Sequence, residues 1–243
     1  EKGLQIATEQ SQRDDGWGDF EVVGKMVLRN SAGQESVREF KTMTLEESDP
    51  SVGDKSVIVF TKPRDVRGTA LLTHSNIEPN DDNQWLFLPA LKRVKRISSS
   101  NRTGKFVSSE FSYEDLGSEE ISDNTYNWIE NLPCPGVESM TCAKLEIMPK
   151  NKKSGYSKRV AFVDLDEYRT QRIEFFNRRG DLEKILTFSD YRLYRDKFWR
   201  AHQMDMANEQ TGKSTSLVWD EYTFNAGIDA KTFEPKSLPK VAR

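Results

Sequence analysis

From Asp19 onward the chain is a near-unbroken series of segments whose apolar residues recur every second position, separated by short runs of turn-forming residues. In Asp19 to Asn30, Phe20, Val22, Met26 and Leu28 share one face and Glu21, Lys25 and Arg29 the other, the period of a strand. The turn Asn30-Ser31-Ala32-Gly33 leads into a second alternating run, Glu35 to Leu45, so the two are expected to form a hairpin. Further strand-like runs are Lys55 to Thr61, Gly68 to Ser75, Gln84 to Leu88, Arg93 to Ser98, Tyr126 to Asn131, Ala143 to Met148 and Ser157 to Leu165. Tyr168 to Asn177 and Asp181 to Tyr191 flank Arg178-Arg179-Gly180, and Phe198 to Ala207 meets Leu217 to Phe224 across Asn208 to Lys213. Strands joined in sequence by tight turns pair antiparallel. The expected fold is therefore mainly β (α+β): a curved, unclosed antiparallel barrel of about ten to twelve strands, with a few short helices over its concave face. A helix is expected over Leu4 to Asp15, and the absence of repeats or a linker points to one domain over residues 1–243.

Several strands are apolar on both faces. Trp85 and Phe87 alternate with Leu86 and Leu88, Phe198 adjoins Trp199, and Phe162 adjoins Val163. A sheet with one solvated face does not need this; one face can meet ordinary core while the other lines a cavity.

Composition excludes several functions. A net charge of −3 and a pI near 5.7 argue against nucleic-acid binding by phosphate neutralisation, and no apolar run approaches the roughly 18–20 residues of a membrane-spanning helix. The sequence starts at Glu1 without Met, so a secretory signal is expected to have been removed or omitted. Cys134 and Cys142, the only cysteines, flank Pro135-Gly136. They read as a disulfide formed in an oxidising compartment, the alternative being two separate buried thiols.

Catalytic and metal-binding patterns are lacking. His74 and His202 have no metal-ligand spacing, no Gly-x-Ser-x-Gly elbow is present, and Gly212-Lys213-Ser214 has Ala207 where a phosphate loop requires Gly. No cofactor, no metal and no enzymatic activity are expected. Lys92, Arg93, Lys95 and Arg96 form the densest basic patch. They are either a rim that attracts lipid headgroups or an acidic partner, or a solvated strand that resists edge pairing. Ser112-Tyr113-Glu114-Asp115-Leu116-Gly117 fits a single capped helical turn, and Glu114 and Asp115 are candidate ion-pair partners for Arg93 or Arg96.

Three stretches in the middle of the chain carry a family resemblance: Gly68-Thr69-Ala70, Trp85 to Ile97, and Phe111-Ser112-Tyr113-Glu114-Asp115-Leu116. With Gly16-Trp17-Gly18-Asp19 and Gly155-Tyr156-Ser157-Lys158, they resemble the outer-membrane lipoprotein-sorting protein family, within the superfamily of periplasmic lipoprotein carriers (LolA/LolB-like). The resemblance implies an unclosed barrel whose apolar concavity holds acyl chains, a Gram-negative periplasm, and for some members work beside transporters of the resistance-nodulation-division type. On this reading the chain is a carrier of lipid or lipoprotein acyl chains. Met26, Leu28, Leu72, Phe87, Phe175, Phe188, Met204 and Met206 are the candidate lining, chosen as strand residues able to shield methylenes from water. The alternative is a non-enzymatic accessory partner of an envelope transporter that carries no lipid.

Overall fold

The computed structural model describes residues 1–49, 51–77 and 80–243; Pro79, which opens the turn expected over Pro79-Asn80-Asp81-Asp82-Asn83, lies outside them. After helix α1 (Lys2–Arg13), six strands form an antiparallel meander: β1 (Asp19–Arg29), β2 (Glu35–Leu45), β3 (Lys55–Lys62), β4 (Ala70–His74), β5 (Asn83–Leu88) and β6 (Arg93–Ile97). A second meander comprises β7 (Asn124–Cys134), β8 (Val137–Pro149), β9 (Tyr156–Asp164), β10 (Thr170–Asn177), β11 (Leu182–Tyr194), β12 (Phe198–Asn208) and β13 (Ser214–Trp219). The short β14 (Thr223–Phe224) pairs with the start of β1, and α2 (Leu238–Val241) follows. The unclosed antiparallel sheet is as expected, but among the described residues it has fourteen strands. One reason is that the run Leu217 to Phe224 is two strands, interrupted at 220–222.

Pairing of β1 with β13, Met26 opposite Leu217 and Gly24 opposite Trp219, joins the meanders. The free edges of the sheet are consequently β6 and β7. The sheet is strongly curled. The Tyr113 carbonyl accepts a hydrogen bond from Gln84 on β5 (2.9 Å), while Asp115, two residues on, accepts one from Tyr156 on β9 (2.7 Å). Those strands are nine steps apart in the sheet order, about 43 Å if it were flat.

Curling gives the strands two different apolar faces. The inner one gathers Met26, Phe40, Phe60, Leu71, Leu86, Phe175, Leu186, Met206 and Leu217 into one cluster. Helix α1 covers this face at the β7 end, where Ile6 packs on Leu145, Ile147 and Ala161, and where Gly3 lets the helix sit directly on the backbone at Trp128. On the outer face, Val57, Val59, Leu72 and Phe87 are sealed by Phe233, Leu238 and Ala242 of the C-terminal segment. The two-sided strands thus meet a separate cover on each side. At the chain's other corner, Trp17 is buried and Glu46 accepts the Gly16 and Gly18 N–H groups at 2.7 and 2.6 Å, tying the entry of β1 to the end of β2.

Cys134 and Cys142 form a disulfide that closes the β7–β8 hairpin. Replacing both by Ala is expected to lower stability by about 2–3 kcal/mol, because the short loop is no longer closed in the unfolded chain. Urea unfolding under oxidising and reducing conditions measures this, and the reduced wild type should match the variant.

Candidate functional site

Six of the eight candidate lining residues come together on the inner face. Met26, Phe175 and Met206 are in its buried cluster, and Leu28, Phe188 and Met204 pack against that cluster. Leu72 and Phe87 lie on the outer face under the C-terminal segment; it is their neighbours Leu71 and Leu86 that point inward.

The inner face is covered by the link between the two sheet edges. Residues 98–123 run from β6 to β7 and must cross the mouth of the curl. Phe106 and Phe111 insert from this crossing segment, each at most 2% exposed. The Phe106 ring lies 5.6 Å from that of Phe60 and 5.9 Å from that of Tyr113. Between them the chain reverses through Val107 and Ser108, both left-handed (φ 46° and 64°), and the Phe106 N–H reaches the Phe111 carbonyl at 2.8 Å. Such a conformation at a β-branched residue costs roughly 1–3 kcal/mol. Burial of two aromatic rings, about 1.5–3 kcal/mol each, offsets it.

Buried polar groups fasten the crossing segment to the second meander. The turn Tyr113–Leu116 has the expected cap, with the Ser112 N–H donating to Asp115 at 2.7 Å. Asp115 pairs with Lys184 of β11 at 2.9 Å, the two side chains 5% and 6% exposed, and accepts from the Tyr156 hydroxyl. Lys184 also donates to the Glu110 carbonyl at 3.2 Å. The buried Glu110 carboxylate takes bonds from Lys105 (2.7 Å) and Asn208 (2.9 Å). Glu114 accepts the Gly155 N–H at 2.9 Å and the Ser154 hydroxyl. The expectation that Glu114 or Asp115 pairs with Arg93 or Arg96 is thereby corrected. The turn docks on β9 and β11, whereas Arg93 and Arg96 project from the edge strand β6, where Arg96 bonds Asn83. Lys184 carries no signal in the sequence, where it reads as one more polar residue on an alternating strand.

Between this segment and strands β10–β12 is a cavity of about 220 Å³. Ile173, Phe175, Leu186, Phe188 and Met204 form its floor, and its mouth carries Asp81, Asp82, Glu119, Asp123, Arg102 and Arg159. Loop-to-loop contacts close the rim: Asp81 of the β4–β5 loop meets Lys153 of the β8–β9 loop at 2.9 Å and Arg102 at 3.6 Å. The Lys153 bond holds Asp81 down at about 2. Burial pushes Asp82 up to about 6, reinforced by the neighbouring Asp123 and Asp81 charges.

Both histidines are held by hydrogen bonds. His202, 1% exposed, is fixed by the Tyr194 hydroxyl (2.8 Å) and the Trp219 carbonyl (2.9 Å), and His74 bonds the Phe233 carbonyl at 2.6 Å. Among the described residues no group of three or more His, Cys, Asp or Glu side chains is arranged to hold a metal. Lys92, Arg93, Lys95 and Arg96 are all exposed.

Lys184→Met strands the buried Asp115 carboxylate and should cost about 3–5 kcal/mol in urea unfolding, much of it recovered in Lys184→Met/Asp115→Asn, which removes the charge and keeps an acceptor for Ser112 and Tyr156. Burial also raises Asp54 to about 6, so Asp54 and Asp82 both hold protons more tightly folded than unfolded. Their contribution is complete below about pH 4 and lost as pH rises through about 6. Thermal midpoints should therefore rise between pH 7 and pH 5, and Asp82→Asn should flatten that rise.

A family model described as an uncharacterized protein matches residues 53–240. No curated relative matches the chain. Among solved structures, a domain from Vibrio parahaemolyticus described as that of an outer membrane lipoprotein-sorting protein is 45% identical over 98% of both chains, with a TM-score of 0.93. A DUF1329 family protein from Desulfovibrio piger is 28% identical, again over 98% of both chains, at a TM-score of 0.90. A LolA superfamily protein from Nitrosomonas europaea, 17% identical over 96% of this chain and 97% of its own, shares the fold at a TM-score of 0.73. The chain belongs to the outer membrane lipoprotein-sorting protein family, and its open sheet has the fold of the LolA superfamily.

Proposed function

We propose that the protein is a non-enzymatic periplasmic carrier that holds lipid or lipoprotein acyl chains against the inner face of its sheet and takes part in their sorting to the outer membrane. The observation that carries this reading is the cover of that face: a short, irregular segment presents two phenylalanines to an apolar floor that includes Met204 and Met206. Each methylene withdrawn from water is worth about 0.8 kcal/mol, and flexible methionines adapt to irregular cargo. The 220 Å³ cavity is smaller than the roughly 300–1,000 Å³ of most ligand pockets. On this proposal residues 105–116 withdraw as cargo enters, and acyl chains take the places of Phe106 and Phe111.

A second reading is favoured by the same rings. An inner face already filled by the chain's own side chains suits an accessory partner of a resistance-nodulation-division-type envelope transporter that binds protein and carries no lipid. Native mass spectrometry of protein gently purified from its own periplasm, with organic extraction, separates the two. The carrier reading expects a stoichiometric phospholipid or acylated peptide. It also expects uptake of a fluorescent fatty-acyl probe that Phe188→Asp and Met204→Asp each weaken at least about tenfold, since a charge placed on the cavity floor opposes burial of the chain. A protein that is empty and takes up no probe would leave the accessory reading.

A further inference from the structure

We propose that the corner formed by the Lys62–Gly68 turn, the Pro89–Leu91 turn and edge strand β6 docks on the surface of an anionic lipid bilayer. Gly68 brings these pieces together: a Cβ there would lie 3.0 Å from the Pro89 side chain and 3.2 Å from the Ala242 carbonyl. Val66 turns into the inner cluster and leaves Arg64 and Arg67 outside. Residues 62–68 and 89–97 together contain seven cations, three in the first segment and four in the second, and one carboxylate, Asp65. Lys62 is engaged by Glu39. Among the described residues no carboxylate lies within 4.0 Å of Arg64, Arg67, Lys92, Arg93, Lys95 or Arg96.

The two segments carry seven positive charges less one, or +6, in a chain whose net charge is −3, so the rest of the chain carries −9. The protein is therefore electrically polarised and presents this corner to a negative surface. Leu91 sits within the cationic array and is 63% exposed, more than any other exposed large hydrophobic among the described residues. Dispersed cations around a protruding leucine match a plane of phosphate headgroups above an apolar layer. The cations also deter another strand from adding to β6. This inference rests on the carrier reading for its purpose, since a carrier must approach the bilayer it serves, and its test separates the two.

Flotation of the full chain with vesicles of phosphatidylcholine, alone or mixed with phosphatidylglycerol, is the experiment, with fatty-acyl probe uptake measured on the same preparations. Binding is expected only with phosphatidylglycerol, and is expected to vanish in about 1 M salt, where the screening length is about 3 Å. The variant K92Q/R93Q/K95Q/R96Q should lose on the order of 100-fold in partitioning, while K150Q/K152Q, on an exposed loop elsewhere, should not change. Undiminished binding by the fourfold variant, or binding indifferent to phosphatidylglycerol, overturns the proposal. Probe uptake without vesicle binding overturns it and leaves the carrier reading standing; vesicle binding without uptake upholds it and removes the carrier reading. Retention on polyglutamate with no vesicle binding overturns it in favour of an acidic protein partner.

Discussion

The pairing of β1 with β13 makes β6 and β7 the two edges of the sheet, and these are consecutive strands in the chain. Whatever joins them has to pass over the inner face. The same curl that places Gln84 and Tyr156 within reach of one turn turns an otherwise exposed apolar surface into a concavity with a strap across it. The strap, the cavity beneath it and the polar fastening are all consequences of that one pairing.

How the strap is held is as informative as where it lies. Phe106 and Phe111 supply apolar burial, while the turn that follows is fixed by Asp115, Lys184, Tyr156, Glu110 and Asn208. A buried ion pair adds little net stability because desolvation offsets most of its attraction, yet removing one partner is costly. Such a fastening selects a single docked arrangement without adding greatly to its depth. Together with the left-handed Val107 and Ser108, this describes a cover that is well defined when closed and not prohibitively expensive to lift. That combination suits a surface on which acyl chains replace the protein's own rings.

Much of this was legible in the chain itself. Alternation located the strands, the tight turns gave the antiparallel order, and Ser112 to Gly117 announced its capped turn. The stretches Phe111 to Leu116 and Gly155 to Lys158, which carried part of the family resemblance, form the two sides of the fastening, through Asp115 with Tyr156 and Glu114 with Gly155. Other features were not legible. Leu72 and Phe87 read like inner residues because β4 and β5 are apolar on both faces, and alternation cannot tell which face curls inward. Lys184 gave no local signal, since its partner Asp115 lies 69 positions away in sequence. The C-terminal cover around Phe233 and Leu238 has neither helical nor strand periodicity, so its packing on the outer face depends on tertiary structure alone.

On the carrier proposal, residues 105–116 occupy the place that cargo takes. Amide hydrogen exchange of the intact protein, with and without a saturating fatty-acyl probe, reads this directly. Without probe, the amides of Phe106, Phe111 and Tyr113 should be protected, as their bonds to Phe111, Ser109 and Gly104 require; with probe bound they should exchange faster while β11 and β12 stay protected. Bound probe with unchanged protection across 105–116 would contradict the account and place the ligand elsewhere on the protein.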